Sequence, residues 1–260
     1  MEQPVTLAAT LTDPAVALPG SRLQARVEHA YRAALYVRDE ASGRRVIVAI
    51  EDVGGQPGGI LIRGLTDLRG VRGSVIVDLS TATSWSPRLP AAARISSPRD
   101  PELSHPDAGD LLASAAVPRI AALRSALLAG EVEAAEKASV ALIGLGIGLT
   151  PSGDDFLVGL LAGLEAARDP LRDPVAAAIA REAPHRTTEF GAALLEHACS
   201  GEFSERLHDV LLAIASREVA ALQRATARAM AYGATSGADT LAGLSCALEV
   251  AGRSARRMAA

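Results

Sequence analysis

The stretch 144-GLGIGLTPSGDDFLVGLLAGL-164 crowds glycines, hydroxyls and carboxylates directly before a long apolar run. In that run Leu157, Leu160, Leu161 and Leu164 fall at i, i+3, i+4 and i+7, the spacing of a helix with a buried face. Gly159 and Gly163 on the same helix would let a neighbouring backbone approach closely. A second stretch, 233-GATSGADTLAGLSCAL-248, repeats the core with one residue deleted. Leaving out Pro151 aligns Thr150, Ser152, Gly153, Asp155, Leu157, Gly159 and Leu160 with Thr235, Ser236, Gly237, Asp239, Leu241, Gly243 and Leu244, seven identities in ten positions. That density points to a duplication or a shared task.

Helix capping explains part of the pattern. Ser152 with Asp155, and Ser236 with Asp239, each fit a capping box, in which the hydroxyl accepts a backbone N–H and the carboxylate reaches back to the cap. Capping leaves Gly144, Gly146, Gly148, the Thr150-Pro151 pair and Asp154 unexplained. Glycines leading into a helix start expose backbone N–H groups where the helix dipole favours negative charge, so an anion site is expected there. If both helices start at one cleft, two positive ends converge on one small anionic ligand. Asp154, whose counterpart is Ala238, is then the unpaired carboxylate, which could bind a metal, orient an amide NH2 or act as a base. The candidate catalytic residues are thus Asp154 and Asp155. The candidate binding residues are Gly146, Gly148, Thr150, Ser152, Gly153, Thr235, Ser236, Gly237 and Asp239, with Thr187 and Thr188 ahead of another helix as caps or as a third helix start at the same place. Neither a Walker motif nor a Rossmann fingerprint is present, and Lys137 is the only lysine.

The rest of the chain frames these segments. Its 260 residues are 49% hydrophobic, enough for a core without staples. A net charge of −4 with mixed signs and 3% aromatics argues against nucleic acid. Cys199 and Cys246 are too few and too far apart for a disulfide framework, and Glu2, Pro4 and Pro14 break the pattern of a signal peptide, so the cytoplasm is the expected compartment. No apolar run is long enough for a membrane span. The histidines, His29, His105, His185, His197 and His208, have no metal-ligand spacing, and no zinc site is indicated. No cofactor is called for beyond room for a divalent metal.

From about Leu23 to Leu79, "AALYV", "RVIVAI", "GILIRG" and "SVIVDL" are short β-branched runs separated by "EASGR", "GGQPGG" and "LRGVRG". They predict a small antiparallel sheet or barrel over residues 1–80. Residues 81–110 hold five prolines and read as a connector, with Trp85 as a plug or loop anchor. Residues 111–260 read as a helical domain that carries the glycine-rich motifs, with helices near 108–129, 131–142, 153–167, 173–182, 187–199, 203–215, 217–231 and 237–251. The fold class expected is α+β.

"GLGIGLTPSGDDFLVGLL", "TTEFGAALLEHACSGEF" and "GATSGADTLAGL", in that order, resemble the AllH-like family, named for a subunit of the oxamate carbamoyltransferase of allantoin degradation. The likeness runs from about Ala122 to Val250, with "SWSPRLP" similar to a segment ahead of it. It implies a subunit that works with two acyl-CoA synthetase-like chains and exchanges a carbamoyl group between oxalurate and phosphate, giving oxamate and carbamoyl phosphate. These small anions suit helix starts, and aimed backbone donors would stabilise the oxyanion that develops on the carbamoyl carbon. The family's second motif often reads G-H-S-S-G or G-H-T-S-G, where this chain has Ala234, so no histidine role carries over. Two other readings stay open, a non-catalytic ligand-binding or regulatory subunit and an orphan hydrolase or carboxylase-like enzyme.

Overall fold

In the first eighty residues apolar side chains alternate with polar ones, and the strands they form bury one face each. The computed structural model describes residues 4–18, 20–95, 116–231, 233 and 235–258. The chain divides into two units, Met1–Arg88 and Leu89–Ala260.

The first unit is built from β1 (Val5–Thr12), β2 (Arg22–Ala30), β3 (Ala34–Asp39), β4 (Arg45–Ile50), β5 (Gly59–Ile62) and β6 (Ser74–Asp78), with the two-residue β7 (Thr83–Ser84) at the end of β1. The order is β5-β4-β3-β2-β6-β1-β7, and β1 also pairs with β5, so the first six strands close into a barrel. Leu7, Ala9, Leu23, Ala25, Leu35, Val37, Val48, Ile60, Ile62, Val75 and Val77 fill it at the alternate positions the period-two pattern selects. Trp85 lies against Gly55, where an added Cβ would come within 2.7 Å of the ring, and its backbone N–H donates to Thr12 O, so it anchors a loop.

Two points depart from the sequence reading. The strand β1 precedes the expected range although Val5, Leu7, Ala9 and Leu11 alternate there. The seams β1–β6 and β4–β5 are parallel, while the other barrel seams are antiparallel. Between β4 and β5 the return is made in residues 51–58 by a 3-10 turn at Glu51–Val53 and by Gly54 and Gly58, whose φ of 77° and 66° suits glycine. Alternation fixes which face is buried and says nothing of strand direction.

The second unit is helical: α1 (Ala116–Ala129), α2 (Val132–Val140), α3 (Ser152–Ala167), α4 (Arg172–Arg186), α5 (Glu189–Cys199), α6 (Glu205–Ser216), α7 (Val219–Met230) and α8 (Ser236–Met258). Each helix read from periodicity is present. The expected start of the first, at 108, and residues 96–110 of the connector lie outside the described residues, as does Ala234. None of the described helices is long and apolar enough to cross a membrane.

The helix α3 is the axis of this unit, for every residue from Gly153 to Leu164 is buried, not only its leucine face. Its closest neighbour is α8, which runs parallel to it. A Cβ added to Gly159 would lie 1.8 Å from Thr240 O, one on Gly243 would lie 1.9 Å from Phe156 O, and one on Gly163 would lie 2.6 Å from Ala247 Cβ. In the repeat alignment Gly159 matches Gly243 and Phe156 matches Thr240, so the first two contacts are one relation with the helices exchanged. Gly153 and Gly237 match in the same way, since a Cβ on either would sit 2.0 Å from a carbonyl of the preceding segment, Leu142 O or Ala229 O. The repeat is therefore a local two-fold relation between α3 and α8, and its glycines are required by backbone contact.

Gly159→Ala or Gly243→Ala should lower stability by about 1–3 kcal/mol or more, because the clash is with backbone that no rotamer change relieves. Gly70→Ala, with open space around it and no positive φ, should change stability by no more than about 0.5 kcal/mol. Urea denaturation of the three variants checks the contrast.

Candidate functional site

Parallel packing sets the starts of α3 and α8 side by side. The Thr150 and Ser236 hydroxyl oxygens are 3.4 Å apart. The expectation that both glycine-hydroxyl-carboxylate segments face one place is met.

The pairing differs from two capping boxes. Pro151, not Ser152, occupies the N-cap of α3, and no side chain caps it. Hydroxyls and carboxylates are instead exchanged between the repeats. The hydroxyls that bear on Asp155 are Ser236 of the other segment and Thr150 of its own, and those that bear on Asp239 are Ser152 of the other segment and Thr235 of its own. Asp155 Oδ2 and both carboxylate oxygens of Asp239 are nevertheless buried with no hydrogen-bond partner. Asp155 is 4% exposed and Asp239 1%.

Burial pushes the Asp155 carboxyl up to about 7, against the pull of Ser236 and Thr150, and the like charges of Asp239 and Asp154 push it further up. Burial likewise raises Asp239, with Ser152 and Thr235 acting the other way. The expectation that Asp155 is spent on capping is overturned by its position and its unpartnered oxygen.

Asp154 is the reverse case. It was the carboxylate expected to be unpaired, yet Oδ1 accepts the Gly144 N–H at 2.8 Å and Oδ2 accepts the Thr187 hydroxyl. Burial raises it and these two bonds lower it. A Cβ on Gly191 would lie 2.2 Å from Asp154 Oδ2, so glycine is needed there for α5 to approach. Thr188 caps α5 by accepting the Gly191 N–H at 2.9 Å and donates to Leu149 O. Asp154 and Thr188 thereby tie the start of α5 to the glycine loop, which brings the third helix start to the site. Leu149 and Gly191 are not legible as site residues in the sequence reading, which names Gly144 only as one of the unexplained glycines, and the glycine three places beyond Thr188 is the available signal for Gly191.

The amides expected to cradle an anion are partly engaged. Gly153 N–H donates to Leu145 O at 2.8 Å, and Asp154 and Asp155 N–H both donate to Pro151 O. The loop itself is exposed at Gly146, Ile147 and Gly148. Gly146 and Gly148 have φ of 122° and 101°, and a Cβ on Gly146 would meet Ser152 N at 2.8 Å, while Gly148 has open space around it. Gly237 is buried against Ala229, and Thr235 is exposed beside it. Of the described histidines, His197 pairs with Glu202 at 2.8 Å and lies on α5 away from its start. Among the described residues no group of three or more His, Cys, Asp or Glu is placed to hold a metal.

The helices that meet here are the segment that comparison with known proteins picks out. Residues 142–248 match the family model described as oxamate carbamoyltransferase subunit AllH. The match opens two residues before the glycine loop and ends in α8, so it spans Asp154, Asp155, Thr187, Thr188 and Asp239 together. The resemblance read from the three motifs is thereby shown over this part of the chain, and the family is that of a subunit of a larger enzyme. No match was found among curated proteins or among solved structures.

Two outcomes follow for stability. Asp154→Ala leaves the Gly144 N–H and the Thr187 hydroxyl without their acceptor and should cost about 1–3 kcal/mol in chemical denaturation. For Asp155 the sign runs the other way with pH. Its carboxyl binds a proton more tightly folded, near 7, than unfolded, near 3.8, so its contribution is full below pH 3.8 and is lost as pH rises through 7. In metal-free buffer, Asp155→Asn should therefore gain stability relative to the unsubstituted protein as pH rises across that window, and denaturation at a series of pH values checks it.

Proposed function

We propose that this chain is a subunit of an oxamate carbamoyltransferase-like enzyme and holds the carbamoyl-bearing substrate where α3, α5 and α8 start. The observation that carries the reading is the coincidence of the AllH match with the paired helix starts and their unpartnered buried carboxylates. Carbamoyl exchange between oxalurate and phosphate forms a C–O bond from phosphate to the carbamoyl carbon and breaks the C–N bond to the oxamate nitrogen. That nitrogen must gain a proton as it leaves. Asp155, whose carboxyl is held near 7, can give a proton at neutral pH and take it back in the reverse direction.

In this reading Thr150 and Ser236, 3.4 Å apart at the rim, donate to the substrate's carbonyl oxygens, and Asp239 accepts from its NH2. The exposed backbone of Gly146 and Gly148 receives the phosphate end, where a side chain would block approach or strain the positive φ. Asp154, Thr187 and Thr188 hold the three helix starts in register. The partners are the acyl-CoA synthetase-like chains that the resemblance implies, and the compartment is the cytoplasm.

The test is carbamoyl transfer from carbamoyl phosphate to oxamate by the chain with its partner subunits and by the chain alone. Asp155→Asn should lower kcat about 10²- to 10⁴-fold, the range for loss of a general acid or base. Ser236→Ala should raise KM with a smaller fall in kcat. Activity of the assembled complex that is indifferent to Asp155→Asn would refute the assignment and leave a ligand-binding subunit.

A further inference from the structure

Three features of the site do not fit a ligand held by backbone amides alone. Asp239 is 1% exposed with neither carboxylate oxygen partnered, and Asp155 is 4% exposed with Oδ2 unpartnered. The charges that act on Asp155, those of Asp239 and Asp154, share its sign. The α3 amides nearest the acids already donate to Leu145 and Pro151 carbonyls. When both acids are ionised, two buried like charges at one place need a counter-charge, and an anionic substrate adds a further negative charge.

We propose that Asp155 and Asp239, with the hydroxyls of Thr150, Ser152, Thr235 and Ser236 around them, form a site for a hard divalent cation of the magnesium class. Every donor is oxygen, with no thiolate or imidazole, which favours Mg2+ or Mn2+ over Zn2+. Magnesium is commonly held by only one or two carboxylates, the remaining positions being filled by water and substrate oxygens, so a third acidic ligand is not required. Asp154 is not a ligand, because both of its oxygens are taken, by Gly144 and Thr187. The helix starts oppose a cation, but weakly: about +0.5 from each of α3 and α8 against two full carboxylate charges leaves roughly −1 at the site.

The cation also resolves how an acidic site takes an acidic substrate. Oxalurate, oxamate and carbamoyl phosphate present oxygen atoms in chelating pairs, so a metal held by Asp155 and Asp239 would bridge protein and substrate and polarise the carbamoyl oxygen. This last step rests on the carbamoyl-transfer reading, and with the cation bound Asp155 is ionised and holds the metal, so that the proton gained by the leaving nitrogen comes from the attacking hydrogen phosphate; the cation site itself does not rest on that reading.

The experiment titrates the full chain with Mn2+ alone, followed by electron paramagnetic resonance, and measures thermal unfolding in Mg2+ and in EDTA. Saturable uptake of a single Mn2+ is expected, with affinity reduced about tenfold or more in Asp155→Asn and Asp239→Asn and retained in Asp154→Asn. Mg2+ should raise the unfolding temperature of the unsubstituted protein and leave that of Asp239→Asn unchanged, whereas in EDTA Asp239→Asn should be the more stable of the two, one repelling buried charge having been removed. Absence of Mn2+ uptake, or undiminished uptake by a folded Asp239→Asn, overturns the proposal; a pair of acids that shares one proton would give the first result. Carbamoyl transfer that persists in EDTA would overturn the cation's role and spare the proposed function, while Mn2+ uptake without any transfer would do the opposite.

Discussion

The contact on which the helical unit depends is the backbone approach of α3 to α8 through Gly159 and Gly243. Any side chain at these positions would collide with a carbonyl of the other helix. With glycine there the helices run parallel in contact, and parallel packing places both starts at the same end. Two positive helix ends side by side repel, and the buried carboxylates in their first turns offset that field. The acids are thus both a consequence of the packing and the chemistry it makes available. Central burial of α3 follows as well, since a helix flanked closely on one side by α8 and tied at its start to α5 has little surface left for water.

The exchange of partners between the repeats gives the duplication a physical meaning. Each hydroxyl-carboxylate segment completes the other's surroundings, Ser236 beside Asp155 and Ser152 beside Asp239. Neither half would assemble the site alone. The repeats differ at three of the ten aligned positions, and at one of them, where Asp154 aligns with Ala238, α5 is attached through Thr187. That half of the pair is therefore anchored at its start to a third helix through a carboxylate for which the other half has alanine.

Much of this was legible in the sequence. The leucine spacing after Ser152 gave the helix, the alternating β-branched runs gave the barrel, and the repeated T-S-G-x-D core gave two related helix starts. The hydrogen-bond pairing of Asp154 and Asp155 is the reverse of the one that spacing suggests, because spacing alone assigns a carboxylate to the nearest serine in its own segment. Which hydroxyl it meets is decided by a helix more than eighty residues further on. The parallel seams of the barrel were hidden for a related reason: a strand's pattern records its buried face and not its neighbour's direction. The engaged amides at Gly153 and Asp154 were also beyond reach, since their acceptors, Leu145 and Pro151, depend on how the glycine loop folds back.

The central claim is that α3 and α8 begin together, and disulfide trapping tests it most directly. Thr150→Cys with Ser236→Cys, in a chain carrying Cys199→Ser and Cys246→Ala, places two thiols where hydroxyl oxygens now stand 3.4 Å apart. Under mild oxidation the account predicts a cross-link between residues 150 and 236, read by mass spectrometry of the digested protein, while Ala221→Cys with Ser236→Cys stays reduced. A folded double-cysteine protein that forms no 150–236 cross-link would contradict it.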